Sequence, residues 1–148
     1  MGIEVLLEVL EHARDLPLPA RATRGSSGVD MMAAIYSPLV IDPGKRVLIP
    51  TGLKVSIPRG YEWQIRPRSG NALKYGVTVL NSPGTIDSDY RGEVQIILAN
   101  LSDEPFLVER GDRIAQAVLA PVACPVLKAI EKLPDTERGD GGFGHSGK

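Results

Sequence analysis

Along much of the chain, apolar and polar residues alternate one by one. Tyr61, Trp63 and Ile65 interleave with Glu62, Gln64 and Arg66, and Val94, Ile96 and Leu98 interleave with Gln95, Ile97 and Ala99. A period of two sends successive side chains to opposite faces of an extended segment, so one face of each belongs to a core. Turn formers interrupt at short intervals: Asp42-Pro43-Gly44, Pro50-Thr51-Gly52, Pro58-Arg59-Gly60, Ser82-Pro83-Gly84 and Arg110-Gly111-Asp112. Short strands punctuated in this way predict an all-β sandwich or barrel. Ile3 to Leu10 fits helix or strand by pattern, and strand is preferred. The one good helical stretch is Asn71 to Tyr75, whose first N–H groups would point back toward Ser69-Gly70, where a phosphate can sit. Beyond Pro134 the pattern stops. Asp135 to Lys148 holds five glycines and one large apolar residue, Phe143. Such a segment buries too little to fold alone, which predicts a β domain over 1–134 and a flexible tail over 135–148.

Composition narrows the function classes. At 148 residues and 43% hydrophobic content the chain fits one domain with a real core. A net charge of −1 gives no bulk attraction to nucleic acid or to a membrane surface, so an anion must be bound locally. The apolar runs fall short of a membrane span. Glu4, Glu8 and Glu11 stand where a secretory signal carries basic residues. Cys124 is alone, which excludes an internal disulfide and a multi-cysteine zinc site, and a reducing, cytoplasmic setting is expected.

The chemistry concentrates between Arg66 and Glu93. A cationic turn (Arg66, Arg68), a Ser69-Gly70 pair and a Gly-Pro-rich hairpin surround the acids Asp87 and Asp89. Glycine beside hydroxyl and guanidinium groups exposes N–H donors to an anion. A carboxylate close to that anion suits the base that orients and deprotonates water in phosphoryl chemistry. Turn carboxylates are also common in hairpins without any such role, and from the residues alone the two readings of Asp87 and Asp89 stand level. Asp30, flanked by apolar residues on a predicted strand, must be paired or face a cavity. Gln116 alternates with Ala115 and Ala117 and so faces away from them, into a cleft or solvent. Gln95 faces a pocket or solvent on the strand leaving the hairpin.

Five segments, in order and at matching spacing, resemble the motifs of the deoxyuridine triphosphatase (dUTPase) family. They are GVDMMAA (Gly28 to Ala34), PRSGNALKYG (Pro67 to Gly76), VLNSPGTIDSDYRGE (Val79 to Glu93), RGDRIAQAV (Arg110 to Val118) and RGDGGFGHSG (Arg138 to Gly147). The resemblance covers the chain from about residue 20 onward. Its departures are minor: Asn71 replaces a usual leucine, Tyr75 often replaces a histidine or similar residue, Ser27 replaces an alanine, and Met31-Met32 is an uncommon pair.

The resemblance implies a jelly-roll-like β-sandwich with one short helix and a flexible C-terminal tail. It further implies a homotrimer that hydrolyses dUTP to dUMP and pyrophosphate, with active sites shared between subunits. On that likeness Asp87 activates water at the α-phosphorus. Arg68, Ser69 and Gly70 form a phosphate turn, and Gln116 reaches the α-phosphate. Asn81, with Thr85 and Ile86, walls the uracil, while Tyr90 packs on the sugar and excludes a 2′-hydroxyl. Gln95 borders the pocket. In the tail, Arg138 grips the terminal phosphate, Phe143 stacks on the base, and Ser146 joins the clamp as part of a lid. Mg2+ is the implied cofactor, with Asp30 acting on it through water. Two rivals remain at this point: dCTP deamination, to which Glu93 leaves an opening, and a non-catalytic nucleotide-sensing or protein-binding module on the same scaffold.

Overall fold

A computed structural model describes residues 2–142. Ten strands and one short α-helix follow in chain order: β1 (Leu6–Val9), β2 (Gly28–Met32), β3 (Leu39–Ile41), β4 (Arg46–Ser56), β5 (Tyr61–Arg66), α1 (Ser69–Tyr75), β6 (Val77–Val79), β7 (Gly84–Ile86), β8 (Glu93–Asn100), β9 (Phe106–Val108) and β10 (Arg113–Pro121). A single 3₁₀ turn, Glu11–Ala13, follows β1. One four-stranded sheet has the order β1-β4-β8-β6, a second has β2-β10-β5-β7, and β3 pairs with β9. All paired strands run antiparallel.

The core lies on the inward face that the alternation marks. Trp63 and Ile65 of β5, Val94, Ile96 and Leu98 of β8, and Ile114, Ala115 and Ala117 of β10 are buried with Met31 and Ile49. Each large aliphatic side chain buried there contributes about 1.5–3 kcal/mol. Asn100, fully buried, donates to Ile41 O at 2.8 Å and Glu104 O at 2.7 Å and accepts from Ser102 N at 2.9 Å, so its amide carries no orphan group.

Four local expectations shift. First, α1 begins at Ser69, so Ser69-Gly70 is the first helical turn. Arg68 is its extended N-cap, and Gly76, at φ 63°, closes it in the left-handed conformation that glycine permits. Second, Pro50-Thr51-Gly52 does not end a strand. β4 runs through it, and the register against β8 slips between Pro50 and Lys54. This bulge lets the 3₁₀ turn approach: a Cβ on Gly52 (φ 68°) would meet the Ala13 Cβ at 2.1 Å. Third, the hairpin expected within Val79 to Glu93 is a crossing between sheets. β7 pairs with β5 in the second sheet, whereas β6 and β8 pair in the first. Leu80 N makes a last bond to Ile97 O at 2.9 Å, and Pro83, without an N–H, cannot extend the ladder. Fourth, only Leu6–Val9 of the ambiguous N-terminal stretch is strand. After Pro121 the chain leaves the sandwich; residues 122–140 are exposed throughout and carry no regular structure.

Candidate active site

Asp30, Gln116 and Arg66 form one row across the second sheet, since Gln116 pairs with Asp30 on β2 and with Arg66 on β5. Directly paired residues project to the same face. Ala115 and Ala117 take the core side, so Gln116 turns outward, and its amide donates to Pro67 O at 3.1 Å. Gly28 leaves it room: a Cβ there would lie 2.7 Å from Gln116 Oε1.

Pro67 leads into Arg68, whose Nε lies 3.0 Å from Asp30 Oδ1. Arg113 Nη1 lies 3.6 Å from Asp30 Oδ2. The half-buried carboxylate is therefore paired twice, as its apolar flanks demand. Arg68 and Asn71 both donate to Arg113 O, at 3.1 and 3.2 Å, and so tie α1 to β10. Asn71 thus has a polar task in holding α1 to β10. Ser69 and Gly70 are exposed in the first turn of α1, where N–H groups have no partner within the helix. The result is an outward-facing group of N–H, hydroxyl and guanidinium donors around one acid, which suits a phosphate chain.

A second group lines a cavity of about 290 Å³. It comprises Asn81, Thr85, Ile86, Asp87, Tyr90, Glu93 and Gln95, closed by Leu48 and Ile97. Thr85 and Ile86 are held by β5, and Asp87 follows them, exposed at the end of β7. The Asp87–Glu93 loop is bonded to itself. Tyr90 N donates to Asp87 O at 3.2 Å, and Arg91 Nη1 donates to Ser88 O and Tyr90 O at 2.8 Å each. The Tyr90 hydroxyl donates to Glu93 O at 2.9 Å. Its ring lies close over Gly92, where any Cβ would sit 2.4 Å from that hydroxyl. Glu93 turns its carboxylate to the frame, accepting from Gly52 N and His12 Nε2 at 2.8 Å each. It is engaged there rather than free to act as a base at a pyrimidine ring. Gln95 is exposed and lies at the edge of the cavity.

Leu48 and Ile97 escaped the sequence reading. They pair across β4 and β8 on the face opposite the buried Ile49, Ile96 and Leu98. Their signal was two apolar residues in the solvent phase of an otherwise regular alternation. In the tail, Arg138 is exposed, with its Nε donating to Gly141 O at 2.7 Å. Phe143 and Ser146, and His145 between them, lie outside the described residues.

A β-sandwich with an outward row of amide and guanidinium donors around one acid, and a separate cavity edged by a carboxylate, suits the class of nucleotide-hydrolysing enzymes. The family model dUTPase matches residues 14–147. The deoxyuridine 5'-triphosphate nucleotidohydrolase of Wolbachia sp. subsp. Brugia malayi (strain TRS) is 55% identical over 148 residues, covering 99% of this chain and 95% of that protein. The enzyme of the same name from Brucella melitensis biotype 2 is 58% identical over 140 residues, covering 93% and 89%. Among solved structures, the Staphylococcus bacteriophage 80alpha dUTPase with dUPNHPP superposes with a TM-score of 0.86 at 28% identity, covering 98% of this chain and 99% of that one. The chain belongs to the dUTPase family, and its reaction is the hydrolysis of dUTP to dUMP and pyrophosphate.

Proposed function

We propose that dUTP is hydrolysed at sites completed by more than one copy of the chain. One observation carries this reading. None of Asp30, Arg68, Ser69, Gly70 and Gln116 lines the cavity that holds Asn81, Asp87 and Tyr90. A single chain therefore offers a phosphate-binding half and a nucleoside-binding half as separate surfaces. A homotrimer joins them, with the segments around Asp30, Arg68 and Gln116 from one chain and the Asn81–Gln95 wall from its neighbour. The tail comes from the remaining chain. Residues 135–148 act as a lid distinct from the 1–134 domain: Arg138 grips the terminal phosphate, Phe143 stacks on uracil, and the backbone around Ser146 completes the clamp.

In this arrangement Asn81 and neighbouring backbone read the uracil edge. Thr85 and Ile86 close the wall against a thymine methyl, and Tyr90 stands against C2′, leaving no space for a ribose hydroxyl. Arg68, the Ser69 hydroxyl and the Gly70 N–H hold the phosphates. Gln116 donates to the charge that develops at the α-phosphate. Asp87 orients a water in line with the departing pyrophosphate, accepts its proton, and directs it to the α-phosphorus.

The donor set suits Mg2+. Among the described residues, no three His, Cys, Asp or Glu side chains gather at metal-ligand spacing, while Asp30 stands beside the phosphate-directed Arg68. That fits an ion bound chiefly by substrate oxygens and water, with Asp30 holding one of its waters. When bound, the ion neutralises triphosphate charge. No helix among the described residues is long and apolar enough to cross a membrane. The lone exposed thiol of Cys124 suits the reducing cytoplasm, where the reaction lowers the dUTP pool and supplies dUMP for dTTP synthesis.

Pyrophosphate release from dUTP, measured beside dTTP, dCTP and UTP with and without a chelator, tests the reading. Release from dUTP alone, abolished by chelation, is expected. Deamination of dCTP, or equal release from UTP, would overturn it.

A further inference from the structure

His12 lies just ahead of the residues that the family model matches, 14–147, yet it reaches the substrate wall. Its Nε2 is 2.8 Å from Glu93 Oε1. A carboxylate only accepts, so the imidazole donates. The same oxygen accepts Gly52 N–H at 2.8 Å. Both side chains are largely buried, His12 at 22% and Glu93 at 21% exposure. The contact falls where the β4/β8 ladder is interrupted: pairing jumps from Pro50↔Gln95 to Lys54↔Glu93. Side-chain bonds stand in here for missing rungs. Through its carbonyl, Glu93 also accepts the Tyr90 hydroxyl at 2.9 Å. One residue thus connects the N-terminal turn to the ring that faces the sugar.

His12 is itself braced. Arg110 Nη2 donates to His12 O at 2.7 Å, and Nη1 donates to Ile35 O at 3.0 Å. The Arg110 guanidinium lies 5.9 Å above the Tyr36 ring and pairs with Asp15. The turn that presents the imidazole is therefore fixed on the side away from the cavity.

We propose that His12 and Glu93 are positioning residues that set the Tyr90 wall and so sharpen discrimination between deoxyribose and ribose. His12 is not among the residues lining the cavity, and Glu93, which is, turns its carboxylate to the frame. The inference rests on the reading of Tyr90 as the sugar wall. Losing the imidazole leaves the Glu93 carboxylate held by the Gly52 N–H alone, loosens the bulge, and lets the Tyr90 hydroxyl move with its acceptor. A purely structural role would lower activity on dUTP and UTP alike; a positioning role changes their ratio.

The test compares kcat/KM for dUTP and UTP in the unmodified enzyme, His12→Ala, His12→Gln, Tyr90→Ala and the double variant His12→Ala/Tyr90→Ala. His12→Leu, which keeps bulk without a donor, replaces His12→Ala if the latter melts below assay temperature. His12→Ala is expected to lower the dUTP-to-UTP ratio about three- to tenfold, with a raised KM for dUTP, and to add nothing once Tyr90 is gone. His12→Gln, whose amide can donate to Glu93, is expected to restore most of the ratio. If Tyr90→Ala lowers the ratio while the His12 variants leave it unchanged, or if the two effects simply add, positioning is overturned and the reading of Tyr90 survives. An unchanged ratio in Tyr90→Ala overturns that reading and this inference with it.

Discussion

At the scale of single residues, the proposed roles divide the cavity lining into groups that bind and one that reacts. Asn81, Thr85, Ile86 and Tyr90 supply an amide, a hydroxyl and apolar surface, and Glu93 is turned to the frame by Gly52 and His12. That leaves Asp87 as the carboxylate at the cavity that is free to take a proton. Asp87→Asn keeps the shape and removes the acceptor. Turnover is expected to fall about a hundredfold or more while a non-hydrolysable dUTP analogue still binds, as read by single-turnover kinetics and calorimetry. Near-normal turnover would remove Asp87 from that role. Asp30 and Gln116 were legible in the sequence because each breaks an apolar strand pattern with a polar group that needs a partner. His12 was not legible. Nothing in Leu10-Glu11-His12-Ala13 signals a contact to Glu93, because the two are joined only by the bulge that folds β4 against the turn.

At the scale of elements, that bulge is a joint between the N-terminal turn and the first sheet. Gly52→Ala would place a methyl at φ 68° and 2.1 Å from the Ala13 Cβ. The expected cost is about 2–4 kcal/mol, a drop of roughly 5–15 °C in melting temperature by differential scanning calorimetry. An unchanged melting temperature would mean that the turn is not packed there. The Asp15–Arg110 pair gives the same joint a pH signature. The hydrogen bond from Arg110, reinforced by one from the Asp15 backbone N–H, holds the Asp15 carboxyl below the usual range, and the same bond to Asp15 raises Arg110. A depressed folded value means that the pair stabilises above the ordinary carboxylate range. That contribution is lost as pH falls through the folded value. Asp15→Asn is therefore expected to melt slightly below the unmodified protein at neutral pH and level with it in strong acid. The difference stays small because the pair is exposed and screened. A gap that persists in strong acid would mean that the pair's charge is not its source. Alternation located β5, β8 and β10 from sequence because each has one wet face. It misjudged Pro50-Thr51-Gly52 and the third motif, since a bulge and an inter-sheet crossing use the same Pro and Gly residues as a turn. Only strand pairing distinguishes them.

At the scale of the whole molecule, the proposal is that two surfaces on one chain become a working site when copies meet. Periodicity identified the all-β fold with one short helix. The separation of the Asp30–Gln116–Arg66 row from the cavity around Asn81 and Asp87 could not be read from a linear pattern, because it depends on which sheet each strand joins. Arg68→Gln and Asp87→Asn damage opposite halves, so each variant alone is expected to be nearly inactive. Unfolded together in equal amounts and refolded, they should form mixed trimers in which some sites pair an intact Arg68 from one chain with an intact Asp87 from another. Random assembly of a cyclic trimer would return about a quarter of the unmodified dUTP-hydrolysing activity. Recovery near that level is the expected result; a mixed preparation as inactive as its two components would show that each chain carries its own complete site.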